Sequence, residues 1–540
     1  MYIVTAKQMQ VAESKANDVG HSYDQMMEQA GRAVAEVITS HVEASSNKVT
    51  HLPILILVGP GNNGGDGLVA ARYLAQKGAK VILYIWNRAL TNDPNWERLK
   101  GVTVESIFSN DSTSDSDLST VLETATIIVD ALLGTGVSRP IKGSLGQLLD
   151  QIKTSIAERH SLASPAYFDP TRPSSDKKAV PFVTAVDLPS GLNSDTGIID
   201  PYTLPADLTV TFGAAKYGHI IMPGPTVVGQ LVIADIRLSD IHYPEDVTLR
   251  LATTETVAAW LPARPVGAHK GTFGQALLIA GSVNYTGAAL LAGRAAARSG
   301  AGLVTIAPPQ TIYPMLASSL AEATYLPLPD DAGTIAKAGG KVVLENLRTV
   351  KALLIGPGLG QAGSVGQFLI ELLKSIEAPP PLILDADALN ILAQQTNWWE
   401  LLPPNAILTP HPGEMSRLTG LTISEIEQNR LEIARQMAAE WNQIVLLKGA
   451  HTIIAAPDGR MMVMPFANPA LAKAGSGDVL AGTIVGLRAQ GVPAFEAAIC
   501  GAYLHGLAGE LARDQLGVTA VVAGDLVDCL ALAYQAIQNI

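Results

Sequence analysis

Short apolar runs of strand length recur along the whole chain, each breaking into a loop of glycine, asparagine or aspartate, with helical stretches between them. Residues 53–58 (PILILV) are apolar throughout instead of alternating, so both faces of that strand must be covered. It runs into GPGNNGGDG and then a helical pattern over about 68–77. Further strands are expected at 80–85, 126–131, 182–186, 207–212 and 231–235, with helical periodicity over 5–40. A second series starts near 253, with strands at 276–280, 303–307, 351–355, 381–384, 405–408 and 444–447. Its helices fall at about 286–298, 424–440, 479–488 and 494–511. This order demands parallel sheets flanked by helices, that is, α/β layers. The halves share no long motif, and a polar stretch over 238–252 marks their boundary. Residues 155–180, rich in Pro, Ser and charge, read as a long surface loop.

With 540 residues, two to four domains are expected. Hydrophobic residues at 48% against 16% charged exclude general disorder. The net charge of −12 makes a nucleic-acid partner a poor candidate. Two cysteines, Cys500 and Cys529, can build neither a disulfide framework nor a four-ligand zinc site, and read as buried thiols. No basic-then-apolar leader opens the chain and no apolar run spans a membrane, so a soluble cytoplasmic enzyme is expected.

In the first half, glycines let backbone approach a ligand, and a helix start offers free N–H groups to phosphate. A plain tight turn would read alike, but Asn62, Asn63 and Asp66 add groups that a turn does not need. VDALLGTGVSRP sets Asp130 at a strand end; alone, a helix cap fits it as well as chemistry. VDLPSG brings Asp187 and Ser190, and TFGAAKYG brings Lys216. Ligands gather at the carboxyl ends of parallel strands, so these loops should converge.

Together GNNGGDG, VDALLGTG, VDLPSG and TFGAAKYG resemble the NAD(P)H-hydrate epimerase domain over residues 1–240. The resemblance implies a Rossmann-like three-layer αβα sandwich. It implies that Asn62, Asn63, Gly64, Gly65 and Asp66 hold the hydrated dinucleotide with Gly134, Thr135, Gly136, Val137, Ser138, Arg139 and Pro140. Asn63, Asp130 and Ser190 would bind potassium, for which oxygen donors are suited. Asp187 would contact substrate and transfer protons, with Lys216 as the cation that keeps it ionised. The 155–180 segment looks like an insertion.

In the second half AGSGDVLAG opens a helix: Gly475, Ser476 and Gly477 form an anion cradle, and Asp478 falls in the first turn. Such a carboxylate either favours the helix dipole or takes a hydroxyl proton during phosphoryl transfer. LLKGAHT, IGPGLG, LDADALN and TPHPGEM each follow a strand, and HKGTFG precedes one. His411, between two prolines, reads as a cap or a site residue. Glu414 is a weaker candidate for positioning hydrated magnesium.

GSGD with HPGE, GPGLG, KGAHT and HKGTFG resembles the ADP- or ATP-dependent NAD(P)H-hydrate dehydratases of the ribokinase-like superfamily, over about 253–540. The domain is set at 250–540 with a ribokinase-like αβα fold. The resemblance implies that Ala276, Gly358, His411 and Asp478 contact the hydrate. It gives Lys448, Gly449, Ala450, His451, Thr452 and Gly477 to the adenine nucleotide, with magnesium alongside. Asp187, Lys216 and Asp478 are then the catalytic residues of a bifunctional repair enzyme, expected to use ADP and to assemble as a homo-oligomer. The alternatives are a ribokinase-type kinase of a vitamin precursor with a non-catalytic N-terminal domain, or an interaction module whose first domain is catalytically silent.

Overall fold

A computed structural model describes residues 1–44, 47–136, 139–163 and 180–538. The chain divides into two compact units, Tyr2–Val247 and Thr248–Ile540.

In the first unit β1 (Ile3–Val4) leads into α1 (Ala6–Asp18) and α2 (Tyr23–Ala44). The expected single helical stretch over 5–40 is thus two helices, because Gly20 takes φ 99° between them. Then follow β2 (Pro53–Val58), α3 (Asn62–Gln76), β3 (Lys80–Ile85), β4 (Glu105–Phe108), β5 (Ile127–Ala131), β6 (Phe182–Val186), β7 (Leu208–Phe212), β8 (Ala215–Lys216) and β9 (Gln230–Ala234). Seven strands form one parallel sheet in the order β4-β3-β2-β5-β6-β7-β9, and β1 pairs with β8 apart from it. The order reverses between β2 and β5, which opens a crevice at their carboxyl ends. Separate apolar clusters cover the two faces: Ile54, Ile56 and Val58 of β2 join one, Leu55 and Leu57 the other.

Two expectations are corrected. GNNGGDG is not a loop ahead of the helix: α3 begins at Asn62. Close approach outweighs the poor helix propensity of glycine, since a Cβ on Gly64 would lie 2.0 Å from the Gly59 carbonyl oxygen. Nor is 155–180 a loop throughout, because the helix Ser144–Ala163 takes its first nine residues. Arg159 in that helix donates to the carbonyls of Leu122 (2.9 Å) and Ala125 (2.7 Å), closing the end of the neighbouring helix Ser114–Thr124. Residues 164–179 lie outside the described residues.

The second unit carries a sheet of ten strands. They are β10 (Leu249–Leu251), β11 (Gln275–Ile279), β12 (Leu303–Ala307), β13 (Thr324–Tyr325), β16 (Ala352–Ile355), β17 (Leu382–Leu384), β18 (Ile407–Leu408), β19 (Ile444–Leu447), β20 (Ile453–Ala455) and β21 (Met461–Val463). The pair β14 (Asp330–Asp331) and β15 (Thr334–Ile335) stands apart. Strands run β10-β21-β20-β19-β18-β17-β16-β11-β12-β13, parallel from β19 to β13 and antiparallel through β19-β20-β21. The order reverses between β11 and β16, again opening a crevice at strand ends. The helix Ser476–Ala489 crosses the helix Thr286–Arg298 so closely that a Cβ on Gly482 would lie 2.3 Å from the Ala292 carbonyl oxygen. The stretch 424–440 is two helices, Ile423–Gln428 and Arg430–Trp441, parted at Asn429. Cys500 and Cys529 are free and buried. Among the described residues no helix is long and apolar enough to cross a membrane.

Candidate active sites

At the first crevice Asp187 directly follows β6 with φ 65°, a strained conformation for a residue with a side chain. Its Oδ1 accepts from Lys216 Nζ (2.7 Å) and Thr211 Oγ1 (2.8 Å), and Lys216 Nζ also donates to Thr211 Oγ1 (2.8 Å). Lys216 is 1% exposed and Asp187 8%. Burial alone would raise the Asp187 carboxyl; the Lys216 charge and hydrogen bond outweigh it and hold it below the ordinary range. His219 fixes the turn from beneath. Its Nδ1 accepts from the Lys216 N–H (3.0 Å), so Nε2 bears the proton and donates to the Asp187 carbonyl (2.9 Å). Burial drops this imidazole to about 4, so it is neutral.

Around the pair lies a cleft of about 380 Å³ lined by Asn62, Asn63, Asp66, Gly134, Thr135, Gly136, Asp187 and Lys216, with residues of α1 closing one side. Gly64 and Gly65 lie inside the first turns of α3, below its lining. Burial, with Asp187 and Glu13 nearby, raises Asp66 well above the usual carboxylate range. Arg139 and Pro140 are exposed, and Val137 and Ser138 lie outside the described residues.

Asp130 and Ser190 are bonded to each other, and Leu133, whose N–H donates to Ser190 Oγ (2.9 Å), links them to Asn63. Asn63 Nδ2 donates to the carbonyls of Val186 (2.6 Å) and Leu133 (2.8 Å). Asp130 accepts from Ser190 Oγ (2.6 Å), Ser190 N (2.8 Å) and Leu132 N (3.2 Å). Arg88 was not foreseen: it donates to the carbonyls of Gly59 (2.9 Å) and Gly61 (2.8 Å) and so props the glycine turn.

At the second crevice Gly475 caps the helix Ser476–Ala489 with φ 88°, which needs glycine, and Asp478 follows in the first turn. Burial and the charges of Asp385 and Asp387 push Asp478 up to about 7 against Lys448, which lowers it. Lys448 Nζ donates to Asp385 Oδ1 (2.8 Å) and lies 3.6 Å from Glu414 Oε2. Burial alone would lower this ammonium; Asp385 and Glu414 outweigh it. Thr409 Oγ1 donates to the same Asp385 oxygen (2.7 Å). Asp387 accepts from the Gly360 N–H (2.8 Å), tying LDADALN to GPGLG. Between the two aspartates Ala386 takes φ 51°, a second strained position at a site.

His411 caps the helix Pro412–Thr419: Nδ1 accepts from Gly413 N (2.9 Å) and Glu414 N (3.4 Å), while Glu414 Oε2 accepts from His411 N (2.8 Å). It is a cap whose ring also faces the cavity described next, with Nε2 left to donate, and burial lowers its imidazole. A cavity of about 620 Å³ is lined by His411, Lys448, Gly449, Ala450, Thr452, Ser476 and Gly477 together with Phe466, Leu471, Leu480 and His505. The buried His505 bonds Ser476 Oγ (3.0 Å), and Arg430 donates to the Ala450 carbonyl (2.6 Å), bracing the KGAHT turn.

Two expected residues sit away from these groups. Ala276 is wholly buried as the second residue of β11, between Val304 and Ala352. What reaches the strand end is Ser282, whose Oγ donates to the Gly358 carbonyl (2.8 Å). The His451 ring is buried against the Met464 carbonyl (3.0 Å), outside the cavity lining.

Comparison with known proteins finds two family matches. Residues 276–531 match the family described as NAD(P)H-hydrate dehydratase, and 23–218 match the YjeF-related protein N-terminus. The bifunctional NAD(P)H-hydrate repair enzyme Nnr of Moorella thermoacetica is 38% identical, covering 98% of this chain and 96% of that protein. That of Escherichia coli is 31% identical, covering 96% and 91%. A structure of the ADP/ATP-dependent NAD(P)H-hydrate dehydratase from Bacillus subtilis, co-crystallised with ATP/Mg2+, is 38% identical; the match covers 53% of this chain and 98% of that one, with a TM-score of 0.47.

Proposed function

This chain belongs to the family of bifunctional NAD(P)H-hydrate repair enzymes, and from that membership we propose a role for each of its two sites. The enzyme repairs hydrated NADH and NADPH: it interconverts their R and S hydrates and dehydrates the S form. We assign epimerisation to 1–240 and dehydration to 250–540. One observation carries the assignment: the two crevices hold carboxylates in opposite electrostatic settings. Lys216 holds the Asp187 carboxyl below the ordinary range, whereas Asp478 stands near 7, poised to take up and release a proton.

In the first unit the hydrate lies in the cleft over Asn62–Asp66 and Gly134–Gly136, with Asp187 within reach of its hydroxyl-bearing ring carbon. Potassium fits beside it. Asp130 is wholly buried, and what opposes the resulting rise of its carboxyl is hydrogen bonding from Ser190 and Leu132, not a basic side chain. A buried carboxylate of that kind suits a monovalent cation, and Asn63 and Ser190 add oxygen donors. Bound there, potassium would supply fixed positive charge beside the hydrate.

In the second unit Asp478 accepts the proton of the ring hydroxyl as its oxygen attacks the terminal phosphorus of ADP. The N–H groups at Ser476–Asp478 and Lys448 stabilise the transferring phosphoryl group. Phosphate then leaves with the C–O bonding pair, the neighbouring ring carbon loses a proton, and NAD(P)H and AMP remain. Magnesium, bound with the nucleotide, would draw charge from the phosphate oxygens. Among the described residues no group of three or more His, Cys, Asp or Glu side chains is set to hold a metal ion. The ion would ride on the phosphates, with Glu414 reaching it through water. The kinase reading is not favoured, because the full-length relatives are repair enzymes. We place the enzyme in the cytoplasm, where the coenzymes turn over, as a homo-oligomer.

The test is incubation with mixed hydrates and ADP·Mg2+, with and without potassium. Full return of the reduced-nicotinamide absorbance is expected; a stable phosphorylated product without recovery would favour the kinase.

A further inference from the structure

Epimerisation at one carbon requires hydroxide to leave one face of the ring and water to return to the other, so a single acid–base group is not enough. Asp187 and Lys216 serve the strand-end side of the first cleft. Another part of the lining is α1, which contributes Ala6, Met9, Gln10 and Glu13, a spacing that places them on one face of the helix. Glu13 is the titratable residue of that face. It is half-buried, no hydrogen bond or ion pair joins it to a described residue, and it also lines a neighbouring cavity of about 720 Å³ shared with Asn62, Asp66 and Phe212.

Resting on the reading of this unit as the epimerase, we propose that Glu13 is its second catalytic residue, the acid that protonates the departing hydroxyl on the ring face turned from Asp187. The proton passes from the Glu13 carboxyl to the hydroxyl oxygen. The C–O bond breaks with its electron pair going to that oxygen, water departs, and the ring nitrogen lone pair forms the C=N bond of an iminium ion. Water adds to the other face and gives its proton to Asp187. Atoms and charge balance: Glu13 is left ionised, Asp187 protonated, and the site stands ready for the reverse passage.

Electrostatics favour this division. Glu13 feels the charges of Lys216 and Asp187 from the strand ends and shares the cleft with Asp66 from α3, and its own charge acts on Asp66 and the phenol of Tyr243. Three carboxyls around one ammonium do not all ionise. Asp187 holds the direct bond to Lys216, and burial raises Glu13 despite Lys216.

The test compares wild type, Glu13→Gln, Glu13→Asp and Asp187→Asn as full-length proteins, following interconversion of separated R and S hydrates without nucleotide. Thermal and urea unfolding of the first unit, unchanged from wild type, serves as the folding control, and dehydration of the pure S hydrate in the same preparations checks the second unit. Glu13→Gln is expected to lower the epimerase kcat about 10²–10⁴-fold with KM within threefold, to lose the alkaline limb of the kcat profile, and to be partly rescued by Glu13→Asp. Epimerase kcat within threefold of wild type in Glu13→Gln, or a KM effect alone, overturns the proposal. If wild type fails to interconvert the hydrates, the reading of the unit falls instead; if Asp187→Asn alone fails, only Glu13 loses its role.

Discussion

Lys216 Nζ lies 2.7 Å from Asp187 Oδ1 with both side chains buried, and Asp187, just past the end of β6, is held in a strained conformation. Removing one partner leaves an uncompensated buried charge, a loss of about 3–5 kcal/mol. Lys216→Met should therefore lower the urea midpoint of the first unit and abolish epimerisation. Adding Asp187→Asn should restore most of the stability and none of the activity. A double variant as unstable as the single one contradicts this.

Asp66 and Asp187 should shape acid and alkaline stability in opposite senses. Asp187 titrates below its unfolded value, so its contribution is present above about pH 4 and is lost as pH falls through the lowered value. Asp66 titrates above its unfolded value, so its folded state binds the extra proton and stability falls as pH rises through that window. Asp66→Asn should gain thermal stability relative to wild type on going from about pH 5 to pH 8. Melting curves at both values check the sign.

Asp478 must be ionised to accept a proton, so dehydration should be lost as pH falls through about 7. Lys448→Met should move that limb upward, since Lys448 lowers Asp478, and Asp385→Asn should move it downward, since Asp385 raises it. Single-turnover rates with pure S hydrate across the limb read both shifts. Shifts of the same sign would contradict the placement of the three groups.

Gly482→Ala should press the Asp478 helix off the helix Thr286–Arg298 and cost about 1–3 kcal/mol. Dehydration should weaken and epimerisation without nucleotide should stay intact. Denaturant midpoints and the two separate assays check it.

Much of this was legible because both sheets bury strands on two faces, which leaves unbroken apolar runs such as PILILV and ALLIA ending in loops that carry chemistry. What escaped reading were groups whose role is made by folding. Asp385 and Asp387 stood in LDADALN, but only the sheet order, with β17 and β19 on either side of β18, gives Asp385 its bond to Lys448. Arg88 and Arg430 brace glycine turns from distant segments, which no local pattern marks. Ala276 is the second residue of β11 with its side chain buried, and the first polar side chain past the end of that strand is Ser282. The hairpin β20-β21 had a local sign, Pro457-Asp458-Gly459 between two apolar runs.

The most direct test gives the full-length enzyme an equal mixture of R and S hydrates with ADP·Mg2+ and follows both to completion. Wild type should consume both, Asp187→Asn should consume the S hydrate and leave the R hydrate standing, and Asp478→Asn should return no NAD(P)H. An Asp187→Asn enzyme that clears the R hydrate at the wild-type rate, or an Asp478→Asn enzyme that still regenerates NAD(P)H, would contradict the division of labour between the two crevices.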